Sequence, residues 1–419
     1  MQELDLRREK LFSLMKDNSV AVIFSGVSKI ATEDELYPFQ VNNSFYYLTG
    51  ITQEHSALLM IKGLGERKCY LFIDEFNELK EKWTGRRLTF DEAESLSNLQ
   101  NVYSMDNFDN MLDLALTKEQ NQYGSITNLY LDLTPELKIS DSKSTSNFRD
   151  DLEAKYEGLT TLDVKPLVTS LRMVKSQYEI EQIKDAIALT NLGINKMILE
   201  LRPGMMEYEL ADTFEFFGRG HNRSKLAFPT IVAAGKNATC LHYPTQNCTV
   251  KREDMILFDL GYKSNGYCAD ISRTFPVNGK FSGNGKKIYE AVLNCNKAVI
   301  EYAHAGLTIA DLQQFAKEFL KNECVRLGFL KEEDDIQKVY FHNVSHHLGL
   351  DTHDAANREK PLEEGNVITV EPGLYFADLG IGVRIEDDVL IHEKNAESLS
   401  INIPKEMEDI EKLFSTKGR

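Results

Sequence analysis

Short apolar runs alternate with polar, helix-like stretches through the first part of the chain. The runs at residues 20–24, 57–61, 70–73 and 129–133 have the length of buried strands. The polar segments between them are typical of helices, so the pattern predicts an α/β domain. The stretch 141–149 is rich in Ser, Lys and Asp and predicts a loop.

The pattern changes near residue 170. Ser176 and Glu179 have the spacing of a capping box, and apolar residues follow at helical intervals as far as the Pro203-Gly204 pair. Two amphipathic helices are predicted further on, at 284–303 and 309–328. Strand-like blocks lie at 228–234, 254–260, 267–275, 365–371 and 382–391. We therefore expect an α/β domain at 1–169 and an α+β domain at 170–419.

Composition and charge narrow the class of protein. A chain of 419 residues suits two or three domains, and 65 acidic against 48 basic residues give a net charge of −17. Such a surface repels phosphate backbones, so nucleic acid is not an expected partner. The acidic N-terminus and the absence of a long apolar run indicate neither a secretory signal nor a membrane partner. Six scattered cysteines without a CxxC pair suit reduced thiols, and we expect a cytoplasmic protein.

Two aspartates stand in costly positions. Asp259 interrupts the apolar run 255–260, and Asp270 directly precedes another strand-like run, with a turn signal between them. A hairpin centred on the Ser264–Asn265 bond would place the two acids directly opposite each other. Like charges directly opposite each other on paired strands repel, so the two aspartates are expected to need a cation between them.

Further acids and a histidine tract extend this pattern. Glu371 ends the apolar run 367–370, and Glu386 shares a strand face with Arg384. Four of the nine histidines lie within residues 342–353. Any one acid is more often solvated or salt-bridged, and such a tract is often a polar loop. Together, acids that break or end apolar runs favour a metal site.

These residues resemble those of the pita-bread metallopeptidases, and among them the Xaa-Pro aminopeptidases (aminopeptidase P). The resemblance is carried by blocks at 231–244, 259, 270–275, 345–354, 371–375 and 382–387. They occur in the family's order and span most of residues 170–405. Residues 43–50 resemble the creatinase-type N-terminal domain. The resemblance implies a creatinase-N-like mixed sheet with helices, followed by an α+β pita-bread catalytic domain.

Carried over by position, the resemblance implies a set of five metal ligands. They are Asp259, Asp270, His346, Glu371 and Glu386. His346 matches the ligand position and its neighbour His347 does not. His242, His342 and His353 match histidines that contact substrate or support the ligands. Arg384 lies beside the last ligand, where it would orient Glu386, pair with substrate or form a structural salt bridge.

Four carboxylates and one imidazole form a hard ligand set. It suits Mn²⁺, and also Zn²⁺, Co²⁺ or Fe²⁺, and four negative charges call for two divalent ions. Two such metals would activate a bridging hydroxide for attack on an Xaa-Pro bond. Glu371 is expected to take the proton of the water, and His353 and His242 to donate hydrogen bonds to the intermediate.

Trp83 is the only tryptophan, and its segment resembles a loop of bacterial aminopeptidase P. In that family an aromatic residue of the N-domain can reach the active site of a neighbouring subunit, which implies substrate contact and a homodimer or homotetramer. A partly buried aromatic without a catalytic role is the alternative. Two other functions stay open: a prolidase cleaving Xaa-Pro dipeptides, and a non-enzymatic pita-bread binding protein.

Overall fold

The computed structural model describes residues 3–117, 122–134, 137–140, 143–221 and 224–416. The chain divides into two compact units, Met1–Leu171 and Arg172–Arg419. The first is a helix-flanked sheet and the second a strand-rich assembly with long helices. The predicted fold class, α/β followed by α+β, is confirmed.

The first unit is built on one six-stranded sheet. Its strands are β1 Ser19–Phe24, β2 Ala57–Gly63, β3 Glu66–Ile73, β4 Val102–Ser104, β5 Asn128–Leu131 and β6 Thr160–Asp163. Its helices are α1 Glu3–Leu14, α2 Asn43–Thr49, α3 Glu78–Thr84, α4 Phe90–Ser97, α5 Phe108–Leu116 and α6 Thr145–Lys155. The strand order is β4-β3-β2-β1-β5-β6. Antiparallel pairs at β1–β2 and β2–β3 and parallel pairs elsewhere make the sheet mixed.

Helix α7 (Lys165–Met173) carries the chain into the second unit. The helices of that unit are α8 Gln177–Glu200, α9 Glu207–Gly220, α10 Gly283–Tyr302, α11 Ile309–Arg326 and α12 Met407–Ser415. Its strands are β7 Ile231–Ala234, β8 Met255–Leu260, β9 Lys263–Ser264, β10 Tyr267–Cys268, β11 Ile271–Pro276, β12 Val367–Val370, β13 Gly373–Phe376, β14 Ile381–Arg384, β15 Asp387–Ile391 and β16 Ala396–Ser398. They form antiparallel groups β11-β8-β7, β12-β15-β16, β13-β14 and β9-β10.

The start of α8 follows from its sequence. Ser176 accepts a hydrogen bond from the backbone N–H of Glu179, whose carboxylate accepts from the backbone N–H of Ser176. This capping box satisfies two donors that a helix N-terminus otherwise leaves unpaired. The predicted start is confirmed, and the helix ends at Glu200, before the Pro203-Gly204 pair.

The hairpin that carries the two aspartates has a different register from the one predicted. Ser272, and not Asp270, pairs with Asp259. The turn is centred one residue later, because Asn265 and Gly266 both have positive φ, of 44° and 86°. That conformation is the two-residue turn favoured by Asn-Gly, and it sets the register. The prediction of direct opposition was therefore wrong, but Asp270 lies two residues from Ser272 and stays on the face of Asp259.

Among the described residues, no helix is long and apolar enough to cross a membrane. All six cysteines are free thiols. Burial raises the pKa of Cys69 to about 12 and that of Cys268 to about 11, so neither is a thiolate at neutral pH.

Candidate metal centre

All five predicted ligands stand at or near strand ends in the second unit. Asp259 is the penultimate residue of β8, and Asp270 directly precedes β11. His346 lies in the segment before β12, Glu371 directly follows β12, and Glu386 joins β14 to β15. A residue at a strand end has one chain neighbour held in the sheet and the other in a connecting segment. The fold thus brings residues far apart in sequence to one location.

The centre of the cluster is formed by three of these side chains. One ligand atom from each of Asp270, His346 and Glu386 lies within 4.8 Å of the other two. Nε2 of His346 is 3.4 Å from Oδ2 of Asp270 and 3.5 Å from Oε1 of Glu371. Its Nδ1 lies 3.1 Å from the backbone oxygen of His347, so Nε2 is left to face the acids.

Asp259 is attached to this cluster through Arg384. Nη2 of Arg384 donates to Oδ2 of Asp259 at 2.6 Å, and its Nε donates to Oγ of Ser272 at 2.7 Å. The hydroxyl of Ser272 in turn donates to Oε2 of Glu386 at 2.7 Å. Of the three roles open for Arg384, a salt bridge to an acid is therefore present. The acid is Asp259, and hydrogen bonds through Ser272 link Arg384 to Glu386.

The acids are buried so closely that their charges oppose one another. Burial raises the pKa of Asp270 well above its usual range, and the charges of Asp259 and Asp388 raise it further. Burial, followed by the charge of Asp270, does the same to the pKa of Glu386, and burial also raises the pKa of Glu371. Carboxyls in this state favour a proton or a cation. The hard oxygen donors therefore fit divalent metal ions.

His342 and Tyr375 border Glu371. Nδ1 of His342 is 3.7 Å from Oε2 of Glu371, and its Nε2 is 2.9 Å from the hydroxyl of Tyr375. Nη1 of Arg384 donates to the same hydroxyl at 3.1 Å. Burial, followed by the charge of Arg384, lowers the pKa of His342 to about 3. The imidazole is therefore neutral at physiological pH.

His353 and His242 lie on the more open side. The ring centroids of His353 and His346 are 4.3 Å apart, in an edge-to-face arrangement. Burial lowers the pKa of His353, and the charges of His346 and His242 lower it further. His242 is exposed and also acts on the pKa of His342. The structure thus places the ring of His353 beside that of His346.

His347 has a different environment from His346. It is 3% exposed, and among the described residues its Nδ1 has no hydrogen-bond partner. Burial, followed by the charge of Lys175, lowers its pKa to about 3. Beside it, the buried carboxylate of Asp354 pairs with Lys175 at 3.0 Å and with Arg172. These charges hold the loop that carries His353.

Trp83 belongs to the first unit, on α3, and is 82% exposed. It lines a cavity of about 470 Å³ together with His55, Asp74 and Arg87. Its predicted contact with substrate stays a prediction.

Sequence reasoning missed several partners of the acids. Ser272 bridges Arg384 and Glu386, and Oδ2 of Asp388 accepts from the backbone N–H of Asp270 at 3.2 Å. Ser272 lies two residues after Asp270, so the alternation of a strand puts both on one face. That spacing could have identified Ser272 as a neighbour of the acids. Asp388, an acid in an apolar strand, offered the same signal as Asp259.

Two family models match the chain. The model of metallopeptidase family M24 matches residues 181–393, and that of the aminopeptidase P N-terminal domain matches residues 5–123. The chain therefore belongs to metallopeptidase family M24.

Within that family, the similarity to Xaa-Pro aminopeptidases extends over the whole chain. The Xaa-Pro aminopeptidases of Haemophilus influenzae and Escherichia coli K12 are 34% and 31% identical to it, each alignment covering 99% of this chain and 97% of the relative. Escherichia coli aminopeptidase P solved with the inhibitor Pro-Leu superimposes with a TM-score of 0.89 at 30% identity, over 99% and 98% of the two chains. A Bacillus anthracis structure provisionally assigned as an aminopeptidase P gives 0.94 at 37%, with the same coverage. The predicted resemblance is confirmed.

Proposed function

We propose that this protein is a metal-dependent Xaa-Pro aminopeptidase, which releases the N-terminal residue from peptides with proline in second position. The observation that carries the proposal is the buried cluster of Asp270, His346 and Glu386, within 4.8 Å of one another, in a chain similar to such enzymes along its full length. The curated relatives favour this activity over that of a prolidase.

The metal ligands of the proposal are the five predicted residues. Asp259, Asp270, His346, Glu371 and Glu386 supply four carboxylates and one imidazole. Two divalent ions neutralise such a set, and Mn²⁺ fits its hard oxygen donors, with Zn²⁺, Co²⁺ and Fe²⁺ as alternatives. Escherichia coli aminopeptidase P has been solved in a zinc-substituted form with its product, which supports a centre that accepts more than one metal. Bound there, such ions would lower the pKa of the attacking water and polarise the scissile carbonyl.

The protein's own groups then have distinct tasks. Glu371, whose carboxylate lies 3.5 Å from Nε2 of His346, is the proposed group that accepts a proton from the attacking water and passes it to the leaving nitrogen. His353, whose ring packs against that of His346, and the exposed His242 are the proposed donors of hydrogen bonds to the developing oxyanion. His342 lies beside Glu371 and is itself hydrogen-bonded to Tyr375. Arg384 holds Asp259 in place.

The proposal extends to assembly and location. Trp83 is 82% exposed on α3, which suits a residue that is covered by a neighbouring subunit and contacts its substrate. We include a homodimer or homotetramer in the proposal, together with a cytoplasmic location.

The deciding experiment compares cleavage of an Xaa-Pro-Xaa tripeptide with that of the corresponding Xaa-Pro dipeptide. The protein is first stripped with chelator and then assayed with and without added Mn²⁺. We expect metal-dependent release of the first residue from the tripeptide and slow cleavage of the dipeptide. Preference for the dipeptide would indicate a prolidase, and a protein that binds no divalent metal would be a non-enzymatic member of the fold.

The Glu371→Gln variant tests the proton-transfer role in the same assay. It keeps the size of the side chain and one oxygen donor but removes the base. We expect kcat to fall by about 100- to 10,000-fold, the usual range for a lost general base. Glu318→Gln, on the outer face of α11, is the matched control.

A further inference from the structure

A buried amide lies beneath the two candidate glutamate ligands. Asn296, on α10, is 0% exposed. Its Nδ2 donates to the backbone oxygen of Val370 at 3.0 Å and to that of Ile385 at 3.4 Å. Val370 ends β12 and Ile385 directly follows β14, two strands of different sheets, so one side chain joins them.

Each of those two carbonyls belongs to the residue directly before a candidate glutamate ligand. Val370 directly precedes Glu371, and Ile385 directly precedes Glu386. Because the peptide unit is planar, fixing the carbonyl oxygen of one residue also fixes the Cα of the next. The amide of Asn296 therefore fixes the points at which the two glutamate side chains leave the backbone.

The sequence places asparagine here at a cost. Position 296 lies on the buried face of α10 with Val292, Cys295 and Val299. Asparagine is a poor residue for a helix interior, and a buried amide is unfavourable unless its hydrogen bonds are satisfied. An apolar residue would suit helix and core alike. Such a local conflict is expected where function constrains the residue.

The acceptor side of the same amide is also fixed. Oδ1 of Asn296 accepts from Nζ of Lys405 at 2.8 Å, and that ammonium pairs with Oδ2 of Asp387 at 2.5 Å. Nη2 of the fully buried Arg273 donates to Oδ1 of Asp387 at 2.8 Å, and its Nη1 donates to the backbone oxygen of Glu386. The orientation of the amide is therefore not free, and its two N–H groups face the two carbonyls.

We infer that Asn296 is a positioning residue that sets the separation of Glu371 and Glu386, and through it the metal affinity of the centre. The inference rests on the proposed function, because it takes these glutamates as metal ligands. Asn296 itself touches neither metal nor substrate.

The test is metal binding by the full chain, measured apart from activity. Wild type and Asn296→Leu are stripped and titrated with Co²⁺ against a competing chelator, while the visible spectrum of bound Co²⁺ is recorded. We expect about 10- to 100-fold weaker binding and an altered spectrum, the usual effect of losing a group that orients metal ligands. Unchanged affinity with an unchanged spectrum would overturn the inference, whatever happens to Tm.

Asn366→Leu is the matched control. Asn366 is also 0% exposed, and its Nδ2 donates to the backbone oxygen of Met173; within the described ranges it has no bond to a carbonyl that precedes a glutamate. A similar loss of Tm with wild-type Co²⁺ affinity is expected there, and an equal loss of affinity would mean that Asn296 acts only through stability. Lys405→Met removes the partner of Oδ1 and is expected to weaken Co²⁺ binding less than Asn296→Leu. Should Asn296→Leu fail to fold, Asn296→Ser, which cannot reach both carbonyls, carries the same comparison.

The proposed function and this inference fail differently. If wild type binds no Co²⁺, the metal centre itself is refuted. If wild type and Asn296→Leu bind it equally, only the role of Asn296 is refuted.

Discussion

Arg384 donates from Nη2 to Oδ2 of Asp259 at 2.6 Å, and among the described residues this is the only ion pair between a Lys or Arg side chain and the carboxylate of a predicted ligand. The same guanidinium reaches Ser272 and Tyr375 through its other nitrogens. Its pKa is raised well above the usual range by nearby negative groups, Asp259 among them, although burial opposes this. It therefore remains charged at every pH of interest.

This geometry predicts the effect of Arg384→Lys. An ammonium is a point charge, and it cannot bond Asp259, Ser272 and Tyr375 in the directions that the planar guanidinium serves. We expect kcat/KM on an Xaa-Pro-Xaa tripeptide to fall by about 10- to 100-fold. Arg326→Lys, on the exposed Glu323 pair of α11, is the control and should leave it unchanged. Full activity of Arg384→Lys would mean that only the positive charge beside Asp259 is needed, and not the directed hydrogen bonds of the guanidinium.

The two adjacent histidines should respond in opposite ways to replacement. His346→Ala removes a nitrogen that faces Asp270 and Glu371, so bound metal and activity should be lost while the fold is kept. His347→Ala leaves a cavity in the core and should lower stability by roughly 1–3 kcal/mol with metal retained. Metal analysis and thermal unfolding of both variants distinguish these effects. Loss of metal only in His347→Ala would mean that the wrong histidine has been assigned as ligand.

Asp270→Asn tests the repulsion within the acid cluster. The pKa of Asp270 is raised in the folded protein by burial and by neighbouring charges, so the metal-free native state binds more protons than the unfolded chain. The stability of the metal-free protein should therefore fall as the pH rises from about 4, which is the pKa of Asp in the unfolded chain. The variant removes one charge and should flatten this slope, measured by thermal unfolding in chelator. It should also lose metal and activity, and a variant that keeps normal turnover would remove Asp270 from the site.

Asp354→Asn should weaken the loop that carries His353. The pKa of Asp354 is lowered by Lys175 and Arg172, although burial opposes this, so its ionised form stabilises the fold. Removing one partner of a buried ion pair costs about 3–5 kcal/mol. That contribution is fully present above about pH 4, the unfolded pKa of Asp, and is lost as pH falls through the lowered folded value. Urea unfolding of both proteins at pH 7 and pH 3 measures it, and an equal difference at both would contradict this account.

The parts of the fold that local sequence determines were predictable. The capping box at Ser176 predicted the start of α8, and the apolar run at 255–260 predicted the strand in which Asp259 lies. The loop predicted at 141–149 was partly wrong, because Ser144 and Asn147 form a capping box that starts α6 at Thr145. Residues 141 and 142 lie outside the described residues.

Long-range polar partners could not be predicted. Asn296 bonds carbonyls 74 and 89 residues away, and Lys405 lies 109 residues further along. In the sequence, Asn296 is one polar residue in an amphipathic helix, and no periodicity indicates which backbone groups it meets. Such contacts depend on how separate sheets come together, which only the folded chain specifies.

The length of the Asn265-Gly266 turn decides whether Asp259 and Asp270 lie on the same face of the hairpin. Lengthening the loop by two residues, one on each side of the turn, would leave both acids on the same face of the hairpin. Adding a single residue on one side would turn every side chain beyond it to the opposite face of its strand. Asp270 would then be directed away from its partners, and the buried side chains of β11, Ile271 and Phe275 among them, would be turned with it. Changes in loop length should therefore be tolerated in even steps, whereas an odd one should cost both the acid cluster and the packing of β11.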